Sequence, residues 1–185
     1  MEVDQIGMET QVRDYEFALS MVRQKFADAI VPELSVVGFS FGGQSAVAFS
    51  LRNQVSKIVS LDGGIGSRFG FGLLEESPFY DLERIDAPLL HIYNPEDRYT
   101  YLTGIKTLIQ SDRDMVSMDN VEHWTFTSFG KLNVLIENLF SPYVDTSTSF
   151  ETILWSSLNF IKPVGATVPK ELGSEIKEIV RLHAM

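Results

Sequence analysis

The chain has 185 residues, a formal net charge of -10 and no cysteine. This length suits a single domain over 1–185, the lack of cysteine rules out disulfides and thiolate catalysis, and the negative charge disfavours nucleic acids and anionic membranes. No apolar run reaches the length of about 18 residues that a membrane span needs, so we expect none.

The first predicted element is a helix within 1–30. Its apolar residues Val12, Tyr15, Leu19 and Val22 recur at helical spacing. This periodicity predicts an amphipathic helix with polar residues on its other face. A β-branched run over 34–37 follows, and it predicts a strand.

The most informative motif is Gly-x-Ser-x-Gly over 38–42, between that strand and an Ala-rich, helix-compatible segment. A strand, a sharp turn and a helix in this order are typical of a nucleophile elbow, in which a strained serine, here Ser40, projects its Oγ above the sheet. The backbone N–H of Phe41 would then face a developing oxyanion. Three glycines are expected to let the backbones pass closely: Gly38, Gly42 and Gly43. The alternative is an ordinary glycine-rich turn in which Ser40 only caps the helix.

A short buried strand is predicted over 57–64, ending in an acid and two glycines, and further strands are predicted over 88–93 and 115–118. A glycine- and aromatic-rich loop over 66–80 and a helix near 101–110 connect them. Within 145–185, helices around 150–160 and 170–183 follow them. Strands that alternate with helices predict an α/β fold with a mostly parallel sheet and flanking helices.

Four chemically useful side chains follow four different predicted strands. They are Ser40, Asp62, Asp97 and His123. Sites in such sheets gather beyond the carboxyl ends of the strands. A serine needs a base to become a nucleophile, and the base needs a third group to fix its tautomer. The order Ser, Asp, His is the one expected of α/β-hydrolases.

The chain resembles an α/β-hydrolase, most closely the dienelactone hydrolase-like and platelet-activating-factor acetylhydrolase-like serine esterases. The resemblance lies over 11–140, in Gly-Phe-Ser-Phe-Gly-Gly at 38–43, Ser-Leu-Asp-Gly at 60–63, the strand at 88–94 and Val-Glu-His-Trp-Thr-Phe at 121–126. It implies a serine hydrolase with an acyl-enzyme and no cofactor. Phe39 stands where these families often have histidine, a position that we expect to affect packing more than chemistry.

The resemblance does not decide which aspartate is the third member of the set with Ser40 and His123. Asp97 follows the strand where most α/β-hydrolases carry it, whereas Asp62 follows the strand used by the acetylhydrolase-like branch. Asp62 could instead satisfy backbone N–H groups in a turn, and Asp97 could be a solvated loop charge. Among the other histidines, His91 is expected to be a core residue and His183 a surface residue. The histidines share no metal-ligand spacing, so we expect no metal.

A carboxylic ester with a modest acyl group is the expected substrate, with thioesters and lactones as related possibilities. Four aromatic residues could line an acyl pocket, although core packing is an alternative for them: Phe69, Phe71, Phe79 and Tyr80. A non-catalytic binding module or inactive remnant is the alternative function, because fold alone does not establish activity.

The strands and the loop that precede the first helix in these families have no counterpart in the sequence. That loop usually supplies a second oxyanion N–H. We therefore expect a fragment or a start at an internal methionine. The elbow strand should lie at a sheet edge, where a swapped homodimer could cover it.

Overall fold

A four-stranded parallel sheet forms the centre of the computed structural model, which describes residues 4–26, 33–77, 84–94, 114–118, 121–136 and 146–162. The strands are β1 (Ser35–Phe39), β2 (Lys57–Leu61), β3 (Leu89–Tyr93) and β4 (Asp114–Ser117). The α-helices are α1 (Gln5–Lys25), α2 (Phe41–Arg52), α3 (Arg68–Glu75), α4 (Ser128–Leu135) and α5 (Thr146–Ile161). This architecture confirms the predicted α/β fold with flanking helices. The helices predicted near 101–110 and 170–183 lie outside the described residues.

The sheet has the simple order β1-β2-β3-β4, and every neighbouring pair is parallel. Gly38 is paired with Ser60 and Ser60 with His91, so these three residues form one row across the sheet. Since all four strands run the same way, their carboxyl ends meet at one edge. The loops that leave β1 and β2 therefore start side by side.

Helices cover both faces of the sheet. On one face α1 and α2 pack over a core that includes Met8, Val12, Val47 and Ile58. On the other face α5 packs on β2 and β3, with Ile153 buried in the core between them. Both faces of β2 and β3 are thus buried, as expected for a parallel sheet.

Ion pairs join α1 to α2 at the surface. Arg52 donates to Glu9 and to Glu16, each at 2.8 Å. The Arg52 guanidinium is the main reason that the pKa of Glu9 is lowered. These contacts hold the helix before β1 against the helix after it.

The outer face of α1 is less polar than its sequence predicts. Val12 is buried, and Tyr15 and Leu19 pack against the core, which confirms that part of the pattern. Val22, however, is 46% exposed, and Phe17 is 66% exposed. The expectation of a polar outer face is wrong for Phe17. The predicted place of Val22 on the apolar, inward face is also wrong, because the last turns of α1, over 20–26, are exposed.

The segment 66–80 was expected to be a loop, and this expectation is wrong for most of it. A 3-10 turn at Gly64–Gly66 leads into α3, whose N-cap Ser67 accepts a hydrogen bond from the Gly70 N–H at 3.0 Å. A Cβ on Gly70 would come within 2.0 Å of the Gly64 carbonyl oxygen. The glycine is therefore needed for close packing of the turn against the helix.

Strand β1 lies at the end of the sheet formed by the described strands, as the sequence predicts. Val37 in β1 is 48% exposed. The homodimer through this edge stays a prediction.

None of the helices in the described ranges is both long enough and apolar enough to cross a bilayer.

Candidate active site

Ser40 lies in the turn between β1 and α2, in a backbone conformation that is rare for residues with a side chain. Its φ is 54° and its ψ is -125°. The N–H of Ser40 donates to the Leu61 carbonyl at 3.0 Å, and its carbonyl accepts from Gly43 at 2.9 Å and Gly64 at 3.1 Å. Its side chain makes no capping bond to α2. Ser40 is therefore held in a strained turn by three backbone contacts, and the helix-cap alternative does not describe its side chain.

Two of the three turn glycines are required by close contacts. A Cβ on Gly38 would lie 2.1 Å from the Gly42 carbonyl oxygen, and one on Gly43 would lie 2.9 Å from the Cα of Gly63. Gly42 is different, because a Cβ there would meet only the Tyr15 hydroxyl at 3.7 Å, an ordinary contact. The expected need for glycine at 42 is therefore wrong, since this position faces α1 with room to spare.

His123 joins the serine to an acid. Its Nε2 lies 2.9 Å from Ser40 Oγ, and its Nδ1 lies 2.6 Å from Asp62 Oδ2. The Asp62 side chain is 10% exposed and the His123 side chain 48% exposed. Both distances are within hydrogen-bond range, so the three side chains form a continuous chain from a shielded carboxylate to an accessible hydroxyl.

The loop after β2 aims Asp62 at the histidine. Asp62 has a φ of 42°, and its N–H donates to the Ile92 carbonyl at 2.7 Å. Its other carboxylate oxygen, Oδ1, accepts from the Asn94 backbone N–H at 3.4 Å. Asp62 thus accepts a backbone N–H, as the turn alternative supposes, while also contacting His123. The competing acid, Asp97, lies outside the described residues.

A capped 3-10 turn, His123–Phe126, carries the histidine. Its N-cap, Glu122, exchanges hydrogen bonds with Thr125, which is fully buried. The Phe39 ring packs against the imidazole, with 4.6 Å between ring centroids and a tilt of 33°. The turn fixes the backbone of His123, and Phe39 limits the rotation of its ring.

Phe41 is the first residue of α2. Its backbone N–H therefore has no partner within the helix and lies at the positive end of the helix dipole. This is the position from which an oxyanion donor acts on a group attached to the preceding serine. Of the predicted pocket residues, Phe69 and Phe71 belong to α3, and Phe79 and Tyr80 lie outside the described residues.

His91 is a core residue, as expected. It is completely buried in β3, its Nδ1 lies 3.0 Å from Ser60 Oγ, and its ring stacks on Tyr93. Burial lowers the pKa of His91 to about 4, against an opposing effect from the Asp62 charge. Its Nε2 has no hydrogen-bond partner in the part of the chain that the structure describes. His91 is therefore neutral at pH 7 and lies beneath the site.

Sequence reasoning missed two residues that shape the site. Asn94 contacts the acid and, through its side chain, the loop that carries His123. Phe39 was expected to affect packing more than chemistry, and its packing partner is His123 itself. Asn94 could have been noticed because it is a polar residue directly after a strand, like Ser40 and Asp62. No sequence signal marks the Phe39 contact.

This arrangement can move a proton from a serine hydroxyl to an imidazole whose far nitrogen faces a carboxylate. No group of three or more His, Asp or Glu side chains in the described ranges is arranged to hold a metal ion.

The parallel sheet and its flanking helices form an α/β fold that solved structures share. Two solved structures are similar to this chain. An acylaminoacyl peptidase from Pyrococcus horikoshii matches with a TM-score of 0.57 and 14% identity, over 95% of this chain and 31% of that chain. An alpha-beta serine hydrolase homologue from Coxiella burnetii matches with a TM-score of 0.47 and 18% identity, over 69% of this chain and 58% of that one.

The chain thus spans less than two thirds of the length of either structure. At 14% identity the likeness to the peptidase shows the fold and not the reaction. No protein-family model matches the sequence, and no curated protein matches it.

Proposed function

We propose that this protein is a serine hydrolase that cleaves carboxylic esters through an acyl-enzyme on Ser40. The observation that carries the proposal is the hydrogen-bonded chain Ser40–His123–Asp62, with distances of 2.9 and 2.6 Å. These residues come from loops after β1 and β2 and from a separate 3-10 turn. Their convergence at one sheet edge favours a catalytic role over the binding-module alternative, which needs no such alignment.

In the proposed mechanism, His123 is neutral and carries its proton on Nδ1, which donates to Asp62. Its Nε2 then accepts the proton of Ser40 as Oγ bonds to the ester carbonyl carbon. The carbonyl oxygen becomes an oxyanion, to which the Phe41 N–H donates. His123 returns the proton to the leaving alkoxide, and the acyl group stays on Ser40.

In the second step His123 takes a proton from water, whose oxygen attacks the acyl carbon. Collapse of this intermediate breaks the bond to Ser40, which regains its proton from His123. Asp62 stabilises the imidazolium in both steps and remains ionised. No cofactor takes part in this scheme.

Asp62 is the acid in this proposal, because its Oδ2 contacts His123 directly. Its position after β2 matches the acetylhydrolase-like pattern, so we place the chain nearer to that branch of serine esterases. A modest acyl group is the proposed substrate feature, and the aromatic residues around α3 are the proposed lining. Thioesters and lactones would react by the same steps.

Labelling with a fluorophosphonate tests the proposal, since this reagent forms a covalent bond with an activated serine. The native chain and Ser40→Ala should be compared, with Ser50→Ala as the matched control. Ser50 lies at the far end of α2, where its hydroxyl bonds the Val47 carbonyl at 2.7 Å. We expect labelling of the native chain and of Ser50→Ala only. Equal labelling of Ser40→Ala, or none in the native chain, would contradict the proposal.

A further inference from the structure

Asn94 lies between the two loops that carry the acid and the base. It directly follows β3, and its backbone N–H donates to Asp62 Oδ1 at 3.4 Å. Its side-chain Nδ2 donates to the Val121 carbonyl at 2.6 Å. Val121 is buried and precedes His123 by two residues. One residue thus contacts both sides of the Asp62–His123 pair.

These two contacts have different strengths. The bond to Val121 is short, and it fixes the entry of the loop that carries His123 relative to β3. The bond to Asp62 is long and weak, but it comes from backbone that the sheet holds in place, because β3 pairs with β2 on one side and β4 on the other. Asn94 therefore links a rigid strand end to the base loop and to the carboxylate together.

We propose that Asn94 is a positioning residue that sets the distance between Asp62 and His123. This inference rests on the proposed hydrolase function. Asn94 acts through its neighbours, since its bonds go to Asp62 and to the backbone of the base loop. Without its amide, the base loop would keep its 3-10 cap but lose its hydrogen bond to the residue that follows β3. His123 would then sample orientations in which Nε2 no longer faces Ser40.

The test compares Asn94→Ala and Asn94→Asp with the native chain. Both variants keep the backbone N–H to Asp62 and lose the donor to Val121. Asn94→Asp also keeps the size of the side chain and presents an oxygen to the Val121 carbonyl. Misplacement of a catalytic group by about 1 Å costs about 100-fold in rate. We expect kcat for p-nitrophenyl acetate to fall about 10- to 100-fold, with KM within about threefold, in both variants.

The matched control is Asn53→Ala. Asn53 also donates its side-chain amide to a backbone carbonyl, that of Phe49 at 3.2 Å, and to Glu16 at 3.0 Å. It lies at the end of α2 away from Ser40. We expect this variant to lose stability without any change in kcat per folded molecule, which separates positioning from folding.

A second measurement does not depend on turnover. The imidazole 15N shifts of His123, assigned by comparison with His123→Gln, report which nitrogen carries the proton. The native chain should have it on Nδ1, and the Asn94 variants should shift toward a mixture of both forms. Unchanged shifts in folded Asn94→Ala or Asn94→Asp would overturn the inference, even if the native chain were active. Absence of fluorophosphonate labelling in the native chain would instead refute the hydrolase function.

Discussion

Replacing Asp62 by asparagine tests the proposed acid more sharply than removing its side chain. Both carboxylate oxygens accept hydrogen bonds in the structure, Oδ2 from His123 and Oδ1 from the Asn94 N–H. An amide has only one oxygen, so one of these donors must then face an NH₂ group. If the NH₂ faces His123, it favours the tautomer with the proton on Nε2. That imidazole can no longer accept the Ser40 proton.

The expected loss follows from this geometry. Serine hydrolases in which the acid becomes an amide lose about 10⁴-fold in kcat, or about 5 kcal/mol of transition-state stabilisation. Because the Asp62 side chain is only 10% exposed, water cannot easily replace the missing acceptor. We therefore expect a fall of about 10³- to 10⁴-fold for Asp62→Asn, measured with p-nitrophenyl acetate.

The control is Asp86→Asn, which should leave kcat unchanged because Asp86 is an exposed residue before β3. Activity of Asp62→Asn within tenfold of the native chain would refute the assignment of this acid. A large loss in Asp97→Asn instead would move the acid to the position that the sequence left open.

Two further predictions concern stability. Gly38→Ala should fail to fold or should unfold at a much lower urea concentration, because its Cβ would lie 2.1 Å from the Gly42 carbonyl oxygen. Gly72→Ala should be neutral or slightly stabilising, because a Cβ there would have no neighbour within 4 Å. Equal urea midpoints for the two variants would refute this prediction. The buried His91 should make the chain less stable in acid, since its folded pKa of about 4 lies below its ordinary value of 6.5. Between these values the unfolded chain binds the proton preferentially, so the free energy of unfolding should fall by roughly 3 kcal/mol as the pH drops from 6.5 to 4. His91→Asn should lack this part of the pH dependence. An equal fall in the free energy of unfolding of both proteins between pH 6.5 and 4, measured by urea unfolding, would contradict the prediction.

The parallel sheet and the position of Ser40 could be predicted from local patterns. Four apolar runs, each followed by a polar or glycine-rich segment, were enough to place the strand ends to within about three residues. The turn at Ser40 could be predicted because Gly38 and Gly43 are needed at fixed offsets from the serine, although Gly42 is not. Local sequence carries these features, since each depends on residues that are near in the chain.

The choice of acid could not be predicted, because it depends on contacts between distant segments. Asp62 and His123 are 61 positions apart, and their meeting is set by strand register and by the 3-10 turn. Helix α3 was missed for a related reason. Its glycines resemble those of a loop, but Gly70 is required by the approach of the Gly64 carbonyl. A glycine read alone does not distinguish close packing from an irregular backbone.

Strain at the site is concentrated in two residues that the sheet can hold. Ser40 and Asp62 are the non-glycine residues with positive φ in the described part of the chain, and each follows a strand. Their N–H groups donate to the carbonyls of Leu61 and Ile92, which lie in β2 and β3, one strand further along the sheet. Each strained residue is thus hydrogen-bonded to the neighbouring strand. Such conformations cost roughly 1–3 kcal/mol each, and they persist only where the surroundings fix them. The neighbouring strands therefore hold Ser40 and Asp62 in the conformations from which both side chains contact His123.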